Sequence, residues 1–321
     1  MKTPAVLLHT DDPATARGIL VRDHADLSVH DCTSYDGLAG AIAATGAEVV
    51  YSTKFAGPQG FPRQALVESP GIRWVSVGGS GTDHLHPWDP ARLTVTNAAG
   101  VAADMMAEYA LGMMLNFALD LPRFRRQQRN REWIPATVRP IAGRSLLILG
   151  LGKTGMATAR RARAMGMITI GVRANPAPSP DLGEVHGIDA LPQLWSRADF
   201  ILCCVPLLPS TRGLIGASAF AAMRPGAVLI DVSRGGVVDG AALLAALDSG
   251  RLAGAALDVF DTEPLPPEHP IWGYDNVMVT PHSSSVFDGW EKAAFVMFAE
   301  NLTRYRRGLP LHNIVDPQRG Y

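Results

Sequence analysis

Through the first hundred positions, short aliphatic runs alternate with small-residue stretches. Residues 5–8, 27–32, 49–52, 72–77 and 93–96 read as strands, and 14–21, 37–45 and 62–68 as the helices between them. Strands separated by helices of this size indicate βαβ units and a parallel sheet. The rhythm then stops. From Ala102 to about Gln128, Met106, Tyr109, Ala110, Met113, Met114 and Phe117 recur at helical spacing, which predicts one long helix that Pro122 kinks or ends. A second series follows, with strands at 145–149, 168–172, 200–205, 227–232, 255–259 and 277–280, and helices at 154–165, 191–197, 217–222 and 239–249. Residues 287–307 form a last amphipathic helix, and the proline-rich stretches 175–180 and 264–270 are loops.

Composition narrows the class. A chain of 321 residues suggests about two domains. Hydrophobic residues make up 47% and charged residues 18%, enough apolar material for real cores and too much for a disordered chain. Lys and Arg number 29 against 30 Asp and Glu, for a net charge of -1, a balance that argues against a nucleic-acid or membrane-surface protein. Three cysteines build no disulfide framework and fit a reducing compartment. Nothing approaches the roughly 18 apolar residues of a membrane span. The first twelve residues read as a strand and not as a signal peptide, so a cytoplasmic protein is expected.

Candidate chemistry begins at Gly150-Leu151-Gly152-Lys153-Thr154-Gly155, a G-x-G-x-x-G that directly follows a predicted strand and opens a predicted helix. The first glycine permits the tight turn, the second lets backbone approach a pyrophosphate, and the third lets helix and strand pack closely. The helix N-terminus then offers free N–H groups to the anion. An acid that would hold a ribose 2′-hydroxyl is missing at the end of the next strand, where the chain reads Val172-Arg173-Ala174-Asn175. Arg173 stands where a guanidinium meets a 2′-phosphate, so NADP(H) is favoured over NAD(H).

Three more segments each end a predicted strand: Asp231-Val232-Ser233-Arg234-Gly235, Leu257-Asp258-Val259-Phe260 leading to Glu263-Pro264, and Thr280-Pro281-His282. Ligands of an open parallel sheet gather at the carboxyl ends of its strands, so Arg234, Glu263 and His282 are expected to converge near the cofactor. Histidine serves as acid and base near neutral pH, a carboxylate orients it, and arginine holds a substrate carboxylate or polarises a carbonyl. Other groups read more plainly. His84 and His86 have metal-like spacing without accompanying acid or Cys ligands, which favours structural or solvated roles. Cys203-Cys204 belongs to an apolar strand, and the basic run from Arg123 to Arg131 reads as a solvated helix end or subunit edge.

Together these segments resemble the D-isomer-specific 2-hydroxyacid dehydrogenases. Further matches are Val77 to His84, Asn97 with Gly100, and Ala107-Glu108-Tyr109-Ala110-Leu111. The resemblance implies an α/β fold of two Rossmann-like doubly wound parallel-sheet domains. A dinucleotide-binding domain (101–284) is inserted into a flavodoxin-like substrate domain (1–100 and 285–321), and the last helix returns to the first domain. It implies that His282 protonates the keto oxygen, that Glu263 pairs with it, and that Arg234 binds the substrate. Gly78, Gly79, Ser80 and Gly81 would offer backbone N–H groups to the substrate carboxylate. Met106, Gly150, Gly152, Lys153, Thr154, Gly155, Val205, Pro206 and Asp258 would contact the cofactor, and Lys54 and Phe55 would shape the substrate pocket.

The implied activity is reduction of a small 2-keto acid, glyoxylate- or hydroxypyruvate-like, to the D-2-hydroxy acid by a homodimer, with no nucleic-acid or membrane partner. The alternatives are a phosphoglycerate-type dehydrogenase and a cofactor-sensing, co-repressor-like binding protein. The chain's end at Tyr321, soon after the last helix, leads to the expectation that it carries no regulatory domain, which disfavours the first of these.

Overall fold

The computed structural model describes residues 3–53 and 60–320, which divide into two compact units. The first unit is Met1–Val101 with Phe287–Tyr321, and the second is Ala102–Val286. The second unit is therefore an insertion within the first, along the chain.

In the first unit, β1 (Val6–His9), β2 (Val29–Cys32), β3 (Val49–Ser52), β4 (Trp74–Val77) and β5 (Thr94–Thr96) form one parallel sheet in the order β2-β1-β3-β4-β5. Strands β1, β3 and β4 are buried along their whole length, as parallel strands covered on both faces must be. Successive side chains feed opposite cores. Leu7, Val50 and Val75 pack on α2 (Leu38–Thr45) and α3 (Arg63–Val67). Val6, Leu8, Tyr51 and Trp74 pack on Leu20 of α1 (Pro13–His24) and on Phe295, Phe298 and Leu302 of the C-terminal helix Trp290–Arg306. The Phe298 ring lies 5.1 Å from that of Tyr51 and 5.3 Å from that of Trp74.

The second unit opens with α4 (Ala103–Ala118) and α5 (Leu121–Asn130). The single helix expected over 102–128 is thus two. Asp120 takes a left-handed φ of 50° at the break, and Pro122 occupies the first turn of α5, where its missing N–H has no partner to lose. Proline here starts a helix instead of bending one. The sheet then alternates strands with helices: β6 (Ser145–Leu149), α6 (Lys153–Ala164), β7 (Ile168–Val172), β8 (Glu184–His186), α7 (Leu191–Leu194), β9 (Phe200–Cys203), α8 (Ala217–Ala222), β10 (Ala227–Asp231), α9 (Gly240–Asp248), β11 (Leu252–Leu257) and β12 (Val277–Val279). All pairs are parallel, in the order β12-β11-β10-β9-β6-β7-β8.

The order reverses between β6 and β9, which is the topological switch point of a doubly wound sheet. Strand β8 was not expected: Glu-Val-His at a half-buried sheet edge carries almost no hydrophobic signal. Strand β11 lies earlier than the expected 255–259, because Leu252-Ala253-Gly254 gives little strand pattern. Gly254 is nonetheless required there, since a Cβ would stand 2.5 Å from the Phe117 ring and 2.6 Å from the Asn276 carbonyl oxygen. Among the described residues no helix is long and apolar enough to cross a membrane.

Phe298 is 1% exposed and bridges the C-terminal helix to the first sheet. Phe298→Ala is expected to cost about 3–5 kcal/mol in urea denaturation, whereas Val21→Ala at an exposed position should stay within about 0.5 kcal/mol.

Candidate active site and cofactor turn

Strand β6 runs straight into the glycine turn. Gly150 has φ 99°, and a Cβ on it would lie 2.8 Å from the Cys204 carbonyl oxygen after β9. A Cβ on Gly155 would lie 2.0 Å from the Gly150 carbonyl oxygen, so only glycine lets α6 approach the turn this closely. Gly152 has nothing within 4 Å of a Cβ position, and the α6 N-terminus has no side-chain cap. Open space in front of unbonded helix N–H groups is what a pyrophosphate requires. Thr154 donates its hydroxyl to the Met106 sulfur at 3.5 Å, which sets α4 against the turn. Val205 and Pro206, half-buried, follow β9, and the Val205 Cγ1 would be 3.1 Å from a Gly150 Cβ, so Val205 flanks the turn at the switch point. Lys153 is exposed at the first position of α6. Arg173 follows β7, exposed, with its backbone N–H donating to the His186 carbonyl; its guanidinium makes no ion pair among the described residues.

The carboxyl ends of β10, β11 and β12 are neighbours, with Asp231 opposite Leu257 and Leu257 opposite Val279. Asp258, 1% exposed, accepts from the Thr280 hydroxyl at 2.6 Å, the Ser283 N–H at 2.8 Å and the Ser284 N–H at 3.0 Å. Its carbonyl accepts the His282 N–H at 2.9 Å. These bonds hold His282 at φ 52°, a left-handed conformation that a histidine adopts only when its surroundings impose it. Tyr109 of α4 reaches Thr280, oxygen to oxygen, at 2.8 Å, and burial pushes its phenol up to about 12, so it stays a neutral donor.

From this turn the His282 Nδ1 meets Glu263 Oε2 at 2.8 Å. An ionised carboxylate only accepts, so Nδ1 carries the hydrogen and Nε2 is left for chemistry. Glu263 Oε1 accepts the Phe260 N–H at 2.9 Å. Burial alone would raise the Glu263 pKa. The hydrogen bonds from His282 and Phe260, with the nearby charges of His282 and Arg234, outweigh it and hold the carboxyl below its ordinary range. Arg234, half-buried, donates from Nη1 to the Ser233 carbonyl at 2.7 Å. A Cβ on Gly235 would strike the Phe260 carbonyl oxygen at 2.1 Å, so the Arg234 turn packs directly on the segment leading to Glu263. Both side chains of the pair stay accessible, at 40% for His282 and 37% for Glu263. The second unit therefore brings together Arg234, Glu263 and His282, with Asp258 beneath them.

In the first unit, Gly78–Gly81 follows β4. Gly78 donates to the Ser52 carbonyl, and a Cβ there would strike the Tyr51 hydroxyl at 2.4 Å. Asn97 fixes the loop by donating to the Ser80 carbonyl at 2.6 Å. Gly79 and Ser80 are exposed, and the N–H groups of Gly79, Ser80 and Gly81 have no acceptor among the described residues. Lys54 and Phe55 lie outside the described residues. His84 meets the Phe61 ring edge-on and His86 meets Trp88, and no group of acids, His or Cys suited to a metal occurs among the described residues. Cys203 is core, at 0% exposure. Arg126 pairs with Asp275 at 3.3 Å, one member of a largely solvated basic run.

A model of the NAD-binding domain of the D-isomer specific 2-hydroxyacid dehydrogenases matches residues 111–284. The chain belongs to that family. Its curated relatives include the D-3-phosphoglycerate dehydrogenase of Methanocaldococcus jannaschii, 33% identical over 261 residues that cover 79% of this chain and 49% of that protein. The chain thus matches about half the length of that relative. The glyoxylate reductase of Korarchaeum cryptofilum is 32% identical over 260 residues, 78% of each chain. A family member from Xanthobacter autotrophicus, crystallised with NADPH and MES, superposes with a TM-score of 0.86 at 33% identity, over 100% of each chain. The NADPH-dependent glyoxylate/hydroxypyruvate reductase of Sinorhizobium meliloti, crystallised with NADP and sulfate, gives 0.82 at 27% identity, over 100% of each chain.

Sequence reading assigned nothing to Asp231, Thr280, Ser283 or Ser284 individually, nor to Tyr109 beyond its place in a motif. The Asp231 carboxyl, 2% exposed, is pushed up to about 6, by burial first and by Asp258, against hydrogen bonds from Ser233 and Cys203. Its unfolded value is lower, so the native state binds the extra proton and Asp231 costs stability above pH 6. That cost fades as pH falls through about 6 toward 4. Asp231→Asn is expected to exceed the wild type by on the order of 2 kcal/mol at about pH 8, and to lose that advantage near pH 4, in urea titrations at both pH values.

Proposed function

We propose that this protein reduces a small 2-keto acid, glyoxylate- or hydroxypyruvate-like, to its D-2-hydroxy acid with NADPH. The observation that carries the reading is the His282–Glu263 pair at 2.8 Å beside Arg234, at adjoining strand ends of the sheet that holds the glycine turn. The glycine turn at residues 150–155 would hold a nicotinamide dinucleotide, which would supply the hydride that the carbonyl carbon takes up. Arg234 holds the substrate carboxylate and polarises the neighbouring carbonyl. As the carbonyl oxygen gains charge, His282 donates its Nε2 proton to it, and Glu263 keeps the ring oriented through Nδ1 and stabilises the imidazolium beforehand. One keto acid, one hydride and one proton become one hydroxy acid, and the proton returns to His282 from solvent. In the first unit, the N–H groups of Gly79, Ser80 and Gly81, without an acceptor among the described residues, suit a carboxylate, and substrate binding by that loop is part of the same proposal.

The cofactor assignment rests on Arg173, a guanidinium without an ion pair among the described residues at the end of β7, where an acid would mark NAD. Asp258 retains acceptor capacity for a carboxamide on Oδ2, which among the described residues takes only the Ser284 N–H. A cytoplasmic location fits the three free cysteines. A homodimer fits the stretch after α5: Trp133 is 96% exposed and Ile134 51%, on a segment without regular structure.

A panel of 2-keto acids with NADPH and NADH, followed at the nicotinamide absorbance, tests the reading. Turnover of glyoxylate or hydroxypyruvate supports it. Turnover confined to 3-phosphohydroxypyruvate moves the assignment to a phosphoglycerate-type dehydrogenase, and cofactor binding without any turnover moves it to a binding protein. His282→Ala should lower kcat at least about 10²-fold, and a near-normal rate rejects its role. Arg173→Ala should raise the KM for NADPH roughly tenfold while leaving that for NADH unchanged. Trp133→Ala should shift sedimentation toward the monomer.

A further inference from the structure

Arg234 rides on a turn built around a buried acid. Asp231 closes β10, and its Oδ1 accepts both the Ser233 N–H at 3.0 Å and the Ser233 hydroxyl at 2.5 Å. Ser233 is itself 3% exposed. The carbonyl of that same Ser233 accepts the Arg234 guanidinium at 2.7 Å. One carboxylate oxygen thus fixes the N–H and side chain of the residue whose C=O tethers the guanidinium. The other face of the turn has no freedom either, because Gly235 sits against the Phe260–Asp261 backbone. Among the described residues no cation pairs with Asp231. An acid held in the interior without one must be explained by the hydrogen bonds it accepts.

We propose that Asp231 is the positioning residue of Arg234, acting through Ser233 to set the affinity for the substrate's carboxylate. This rests on the reading of Arg234 as the group that holds that carboxylate. Removing the acceptor leaves the Ser233 N–H buried without a partner and its hydroxyl with only the Arg234 carbonyl at 3.4 Å, so the peptide unit turns to find another acceptor and carries the Ser233 carbonyl away from the guanidinium. The glycine turn after β6 takes no part in these bonds, which separates substrate binding from cofactor binding. An amide at the same place keeps an acceptor oxygen and preserves the turn.

The test compares Asp231→Ala, Asp231→Asn and Ser233→Ala, with Arg234→Ala as reference. KM and kcat are measured with glyoxylate, and the NADPH Kd by fluorescence titration. Asp231→Ala is expected to raise the glyoxylate KM roughly tenfold and to lower kcat by a smaller factor, with the NADPH Kd within about threefold of the wild type. Asp231→Asn should keep its KM within about threefold of the wild type, and Ser233→Ala should fall between the two. An unchanged KM in a folded Asp231→Ala overturns the proposal. So does an equal worsening of KM, kcat and NADPH Kd in both Asp231 variants, which marks a general loss of structure. If Asp231→Ala does not fold, Ser233→Ala decides, and an unchanged KM there overturns the proposal. A normal KM in Arg234→Ala overturns both this inference and the reading beneath it, whereas a raised KM there with normal Asp231 and Ser233 variants overturns this inference alone.

Discussion

The carboxylate of Asp258 is the interaction on which the candidate site depends. It stands at the end of β11, between the strands that deliver Arg234 and His282, and it accepts from Thr280, Ser283 and Ser284. Adjacent strands lie about 4.8 Å apart, so the sheet alone brings three strand ends within reach of one small molecule. It does not aim their side chains. Aiming His282 takes a left-handed backbone at a non-glycine residue, and the bonds to Asp258 offset the strain of that conformation. Tyr109 extends the same chain of contacts into α4, whose Met106 meets the glycine-turn helix at Thr154. Within the second unit, the segment that carries His282 and the glycine turn are braced by one helix.

The glycine turn is governed by crowding and the acid pair by hydrogen-bond direction. At Gly150 and Gly155 any side chain would collide with backbone, which nothing nearby can relieve by rotating. At Glu263 each carboxylate oxygen has its own donor, Phe260 N–H on one and His282 on the other. A side chain held at both oxygens cannot swing away from the imidazole, so the pair keeps its geometry although both residues remain open to solvent. Accessibility and rigidity, which usually oppose each other, are reconciled by fixing the acid from behind.

Much of this was legible in the sequence because it is local. The aliphatic run before Gly150, the spacing of the three glycines, and an Arg, a Glu and a His each just beyond a strand are patterns that each span only a few residues of the chain. What escaped has non-local causes. Strand β8 is Glu-Val-His, held by pairing with β7 and not by its own hydrophobicity. The break before Pro122 depends on the left-handed Asp120, which no periodicity shows, and the early start of β11 depends on Gly254 lying under Phe117. Asp231 and Thr280 were visible as letters beside the motif residues, but their roles follow from burial and from partners on neighbouring strands. A sequence states which groups are present at a strand end; which of them face outward to react and which face inward to hold the others is decided only by packing.

That division resolves an electrostatic difficulty. On the proposed function, an anionic substrate approaches an edge that also carries Asp231, Asp258 and Glu263, which an even overall charge does nothing to offset. Asp258 spends its oxygens on two backbone N–H groups and a hydroxyl, so its charge is met by fixed dipoles. Asp231, with its carboxyl pushed up to about 6, carries its full charge only above that pH, and burial keeps it away from solvent. Glu263 is held below its ordinary range, and its oxygens face the His282 ring and the Phe260 N–H. Each of the three acids is thus met by its own donors, which leaves the proposed hold of Arg234 on a carboxylate compatible with an acid-rich edge.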